Sequence, residues 1–108
     1  MRIIAHIVDD NGIWDNSDLS KLYAEPEAKY ASWGDGRKLG RMQLIQVDSD
    51  TWVANLVAKH NDEVMVGSLK CCVAKLVPVA ASHGAMVIGN SDICLFLPSN
   101  VKHDSTGY

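Results

Sequence analysis

Gly40-Arg-Met-Gln-Leu-Ile-Gln-Val-Asp-Ser-Asp-Thr-Trp-Val-Ala-Asn-Leu-Val-Ala-Lys-His60 decides the fold. Two β-rich runs, residues 42–47 and 51–57, flank Asp48-Ser49-Asp50, whose short polar side chains bond nearby backbone and favour a tight turn. The stretch reads as a β-hairpin. Its second strand is apolar on both faces except at Asn55, the pattern of a strand covered by helices on both sides. The first strand alternates, with Met42 and Leu44 on one side and Gln43, Ile45 and Val47 on the other. An amide among such neighbours reads as a structural Asn with its hydrogen bonds satisfied internally.

Upstream, residues 2–8 form a strand. Ile3, Ile4, Ala5, Ile7 and Val8 make it nearly continuous in apolar character, so it belongs in the middle of a sheet. It runs into a turn-rich loop, residues 9–16. Ser17 then suits an N-cap, Asp18 complements the first turn, and Leu19, Leu22 and Tyr23 recur at helical spacing. Pro26 starts a second helix, residues 26–33, with proline at its first position. Residues 34–40 are a loop.

Downstream, Asn61 or Asp62 is expected to cap a helix of about twenty residues that ends at Gly84. Leu69, Cys72, Val73, Leu76 and Ala80 form its buried stripe. Pro78 lies inside this pattern and predicts a kink, or an early end near Val77. Residues 85–88 read as a strand, 89–92 as a turn and 93–97 as a last strand. A poorly ordered polar tail, residues 99–108, is expected after a single domain of residues 1–98.

The chain has 108 residues, enough for one domain and too few for two. A formal charge of −3 argues against a binder of nucleic-acid backbone, which needs a basic face. The apolar runs fall well short of the ~20 residues that a spanning helix needs, and nothing implies a membrane partner. Three cysteines, two of them adjacent, make no disulfide framework and no zinc quartet. A reducing, cytoplasmic location is therefore expected, with no metal and no cofactor.

The order β-α-β-β-α-β-β specifies an α/β sandwich with a mixed sheet. In such sheets the ligand crevice lies outside the carboxyl ends of the strands, which directs attention to residues 9–16 and 89–92.

Four stretches together resemble a known family. They are Ile4-Ala-His-Ile-Val-Asp-Asp-Asn-Gly-Ile-Trp14, Ser20-Lys-Leu-Tyr-Ala-Glu-Pro-Glu-Ala-Lys-Tyr30, Leu39-Gly-Arg-Met-Gln-Leu-Ile-Gln-Val-Asp48 and Trp52-Val-Ala-Asn-Leu-Val57. In order and spacing they look like the macro domain, in the branch of ADP-ribosyl-glutamate hydrolases and Appr-1″-p processing enzymes. The resemblance implies a three-layer α/β/α sandwich that binds ADP-ribose between two loops. One of these is glycine-rich, and the other holds the pyrophosphate with backbone N–H groups. The chain departs from the family pattern in several places: Asp9 replaces an Asn, Gly12-Ile-Trp-Asp15 replaces Gly-Gly-Trp-Gly, and Lys59 replaces a Gln. The family's first strand and last helix have no counterpart in these residues. The resemblance is to a shortened, degenerate macro domain.

The ligand-binding candidates that follow are Asp9, Asp10, Gly12, Ile13, Trp14, Gly89, Asn90 and Ser91, with Lys21 and Asn55 in support. Each has a plainer reading. Asp9 and Asp10 can simply make the turn, Trp14 can cover the sheet edge, and Gly89-Asn90-Ser91 can turn a hairpin. Lys21 can be a solvated helix lysine, and His6 a satisfied core histidine. No nucleophile–base pair can be assembled, so no catalytic residue is assigned.

Two functions stand. One is binding of ADP-ribose, a related nucleotide metabolite or an ADP-ribosylated molecule, with weak ADP-ribosyl hydrolase or phosphatase activity as an extension. The other is a non-catalytic interaction module that has lost the ligand and pairs with a second copy through an exposed sheet edge.

Overall fold

The apolar run near the N-terminus becomes β1, Arg2–Asp9, with every residue after Arg2 buried. The structure, a computed structural model, describes residues 1–104. β2 (Met42–Gln46) and β3 (Thr51–His60) form the expected hairpin, pairing antiparallel from Met42 opposite Leu56 to Gln46 opposite Trp52. β1 lies parallel to β3, with Arg2 opposite Thr51, and parallel to β5, Met86–Ile88. Strand order is β2-β3-β1-β5-β6, where β6 is His103–Asp104, and a short β4 (Glu63–Val64) pairs with the end of β3.

Alternation along β1 sorts the core into two layers. Ile3, Ala5 and Ile7 pack with Ala54, Leu56 and Ala58 against α3, Val66–Ser82, through Leu69, Cys72, Leu76 and Ala80. On the opposite face Ile4 and Val53 meet Leu19 of α1 (Ser17–Leu22), while Val8 and Val57 meet Tyr30 of α2 (Glu25–Ser32). The mixed sheet between two helical layers is the three-layer sandwich expected from the pattern.

Five local expectations change. The N-cap of α1 is Asn16, whose side chain accepts the Leu19 N–H, one residue before Ser17. Asn61 and Asp62 do not cap a helix. With φ of 51° and 64° they form the left-handed turn that joins β3 to β4, a conformation asparagine and aspartate tolerate well. The helix that follows therefore starts later, at Val66, after Met65 in extended geometry. It also continues through Pro78 to Ser82, because Pro78 and Ala74, whose carbonyl would have taken the missing N–H, both lie on the exposed face. Gly84, at φ 59°, ends it in the left-handed position expected after a helix.

The fifth change is at the C-terminal end. Residues 93–97 are not a strand: Ser91–Cys94 is a helical turn, α4, capped by the Asn90 side chain on the Ile93 N–H. The stretch from residue 99 to 104 is not a detached tail. Val101 is buried in the α3-side core, Val87 donates to the Lys102 carbonyl at 2.7 Å, and β6 pairs parallel with β5. Residues 105–108 of the expected tail lie outside the described residues.

Candidate functional site

The site grows from the polar residue in the middle of β1. His6 is buried and faces the α1–α2 layer, where its Nε2 meets Asn55 Oδ1 at 2.5 Å and its Nδ1 meets Asn16 Nδ2 at 3.3 Å. The Asn55 amide must donate through Nδ2, since it faces the Pro26 carbonyl and Gln43 Oε1, each at 3.1 Å. That leaves Asn55 Oδ1 as an acceptor, so His6 carries its proton on Nε2 and accepts at Nδ1. Burial pushes the imidazole pKa down to about 4, which the Asn55 hydrogen bond only partly opposes. His6 is therefore neutral near pH 7, and both of its nitrogens are engaged.

Trp14 closes this network from above. Its ring meets His6 edge-on at 4.9 Å, lies 5.6 Å from Tyr30, and donates its Nε1–H to the Asn16 carbonyl. Loop 10–16 is thereby pinned to the sheet. Gly12 carries φ 84° within it, and a Cβ there would lie 3.1 Å from the Arg37 guanidinium. Glycine is what allows the loop to pass so close.

At the carboxyl end of β1, Asp9 is buried and accepts the backbone N–H groups of Asn11 at 3.1 Å and Asp62 at 2.8 Å. Burial alone would raise its pKa, but the Asp62 and Asn11 N–H groups and the Lys59 charge outweigh that and hold it below the usual carboxylate range. Its carboxylate fastens the β3–β4 turn to β1. Tyr30 donates to the Asp9 carbonyl at 2.6 Å, fixing the same residue from the helix side.

Lys59 stands beside this anchor on β3, after a bulge that brings Asp9 opposite it. Its ammonium, on a side chain only 12% exposed, pairs with Asp15 and lies 3.6 Å from Asp62 Oδ1. Burial would lower its pKa, yet the Asp15 and Asp62 carboxylates reverse that and leave it raised. Asp10 pairs instead with His60 at 3.0 Å.

These elements enclose a cleft of about 290 Å³ outside the carboxyl ends of the strands, between loops 9–16 and 89–92. His6, Asp15, Asn16, Asp18, Lys59, Asn90 and Asp92 are the polar groups on its walls. A second, more open depression of about 610 Å³ shares Asp15 and is bordered by Trp14, Lys21 and Glu27. Among the described residues no group of three or more His, Cys, Asp or Glu is placed to hold a metal ion.

Of the residues singled out from sequence, Asn90 lines the cleft, while Trp14 and Lys21 border the open depression. Asn55 supports His6 from beneath. Asp9 and Asp10 are occupied by the turn and by His60. Gly12 sits against Arg37, Ile13 is 66% exposed, Gly89 abuts Ile93, and Ser91 opens α4. Asp15, Asn16, Asp18, Lys59 and Asp92 were not among the candidates. Lys59 carried two signals, a cation near the end of a mostly apolar strand and a departure from the Gln of the family pattern.

The fold has solved relatives. The structure of a macrodomain protein from Streptomyces coelicolor is similar at TM-score 0.75 and 29% identity, over 80% of this chain and 64% of that one. A protein from Bacteroides thetaiotaomicron is similar at TM-score 0.78 and 24% identity, over 82% and 67% of the two chains. The macrodomain of Thermus aquaticus DarG, at 11% identity and TM-score 0.71, is matched over 94% of this chain and 85% of its own length. The chain thus spans just under two-thirds, 64%, of the length of the Streptomyces structure. No protein-family profile and no curated protein matches it.

Proposed function

We propose, from the macrodomain fold that this chain adopts, that it binds ADP-ribose or a related nucleotide metabolite, free or carried on another molecule. The observation that carries this reading is the cleft of about 290 Å³ at the carboxyl edge of the sheet, walled by amides, carboxylates and one ammonium. Its size is near the lower end for small-molecule sites, on the order of 300–1,000 Å³, and suits part of a nucleotide rather than all of it. The remainder would lie along the open depression by Trp14 and Lys21, which shares Asp15 with the cleft. Asn90 and Asp92 supply hydrogen-bonding groups for ribose hydroxyls.

Weak ADP-ribosyl hydrolase or phosphatase activity would fall to the cleft carboxylates. His6 cannot serve as a base while both nitrogens are engaged. Cys72 is no nucleophile either, since burial pushes its thiol up to about 11. Cys71 and Cys72, thiols on α3, favour a reducing, cytoplasmic location.

Titration calorimetry with ADP-ribose is expected to give saturable heat, with a dissociation constant between roughly 1 μM and 1 mM. Absence of heat at millimolar ligand sinks the reading. The second function, an interaction module, draws on β2 ending the strand order and so offering an unpaired edge. A concentration-dependent dimer in light scattering, together with no ADP-ribose heat, would favour it.

A further inference from the structure

Three carboxylates line the cleft, those of Asp15, Asp18 and Asp92, against a single ammonium, that of Lys59. An anion that enters meets repulsion from every charged wall but one. The one attractive wall is already engaged, because Lys59 pairs with Asp15 and, more loosely, with Asp62 at 3.6 Å. The three groups are not equally fixed. Lys59 projects from β3, in register with β1, and is 12% exposed. Asp15 belongs to a loop and is 47% exposed, and Asp62 is 90% exposed. The carboxylates can turn into water at little cost, whereas the ammonium is held in place by the sheet.

We propose that Lys59 is the phosphate-recognising residue of this cleft, and that the Asp15 carboxylate occupies the phosphate position until a ligand displaces it. The inference rests on reading the cleft as the ligand site and adds what that site selects. The recognised part of the ligand is its phosphate or diphosphate, and a neutral nucleoside or free ribose gains little from the site. A ligand phosphate exchanges one charge-assisted hydrogen bond for another, so the chain's own carboxylate sets the affinity. Because the exchange is between charges at a partly open site, binding weakens as salt rises.

The test compares the unaltered chain with Asp15→Asn, Lys59→Gln and Lys59→Arg. Each is titrated with ADP-ribose, adenosine and inorganic pyrophosphate, after circular dichroism has shown that it is folded. Removing the competing charge in Asp15→Asn is expected to tighten ADP-ribose and pyrophosphate by about tenfold. Removing the ammonium in Lys59→Gln is expected to weaken both by about tenfold or more, while Lys59→Arg keeps binding and adenosine is indifferent to all three. Two results overturn the proposal and leave ADP-ribose binding standing: equal ADP-ribose affinity in all four proteins, or tighter binding in Lys59→Gln. Pyrophosphate binding that follows the expected order, with no preference for ADP-ribose, upholds the role of Lys59 and removes the nucleotide reading. No binding of either phosphate ligand by any of the four proteins overturns both.

Discussion

Asn55→Leu is expected to lower the unfolding free energy by about 3 kcal/mol, although leucine branches at the same carbon as asparagine and has as many side-chain heavy atoms. The cost comes from the partners left behind. Asn55 is fully buried, accepts from His6, and donates to the Pro26 carbonyl and to Gln43. Gln43 is half-buried and can turn to water. The His6 N–H and the Pro26 carbonyl cannot, and each orphaned buried group costs about 1–3 kcal/mol. The side chain also ties β3 to β1 and to α2 at once, so both ties are lost together. Urea denaturation checks this: the midpoint should fall with the slope unchanged, and a loss below about 1 kcal/mol would show that the network is dispensable. Asn55→Asp makes an informative contrast. A carboxylate beside the imidazole favours its charged form, so the His6 pKa should rise, as read from its ring resonances against pH.

Acidification from pH 7 to 4 should cost the fold about 3 kcal/mol through His6 alone, taking its folded pKa of about 4 against 6.5 in the unfolded chain. Between those values the unfolded chain binds a proton that the folded chain refuses, so stability rises with pH across this window. The contribution is complete above pH 6.5 and is lost as pH falls toward 4. Asp9 adds to the loss at lower pH. Its folded pKa is depressed, so its stabilisation is present above the unfolded carboxylate range and disappears as the folded group takes up its proton. Chemical denaturation at a series of pH values should show stability falling steadily from pH 6.5, and His6 resonances should not titrate until near pH 4. A flat profile between pH 7 and 5 would contradict the buried neutral imidazole.

The sheet was legible where one signal dominated. β1 and β3 have apolar runs long enough to be strands buried on both faces, and Asp48-Ser49-Asp50 leaves little choice but a turn between β2 and β3. Misreadings arose where one residue type serves two geometries. Asn61 and Asp62 suit a helix cap and a left-handed turn equally, and only the pairing of β4 with β3 decides between them. Residues 93–97 form a short apolar run that periodicity cannot assign, and the Asn90 cap before it was the stronger sign of a helical turn. The cleft was legible in place but not in membership. Which strand ends would form it followed from topology. The facing of Lys59 and Asp15 depends on a bulge and on a loop drawn inward by Trp14, and neither has a periodic signature. Asp9 shows the reverse: conspicuous at the strand end in sequence, it is occupied by two backbone N–H groups in the fold.

The pairing of β1 sets a timetable for the ribosome. Its first registered neighbour, Thr51, lies 49 residues beyond Arg2, and its other partner begins only at Met86. The hairpin of β2 and β3, joined by a short turn, closes as soon as it is made, whereas β1 has no strand to join until that hairpin exists. At about 5–20 residues per second of synthesis, this long, largely apolar strand waits several seconds for a partner. During that interval the nascent chain exposes an aggregation-prone segment. His6, which breaks the apolar run in the finished fold, is also the one ionisable side chain that interrupts that segment between Ile3 and Val8.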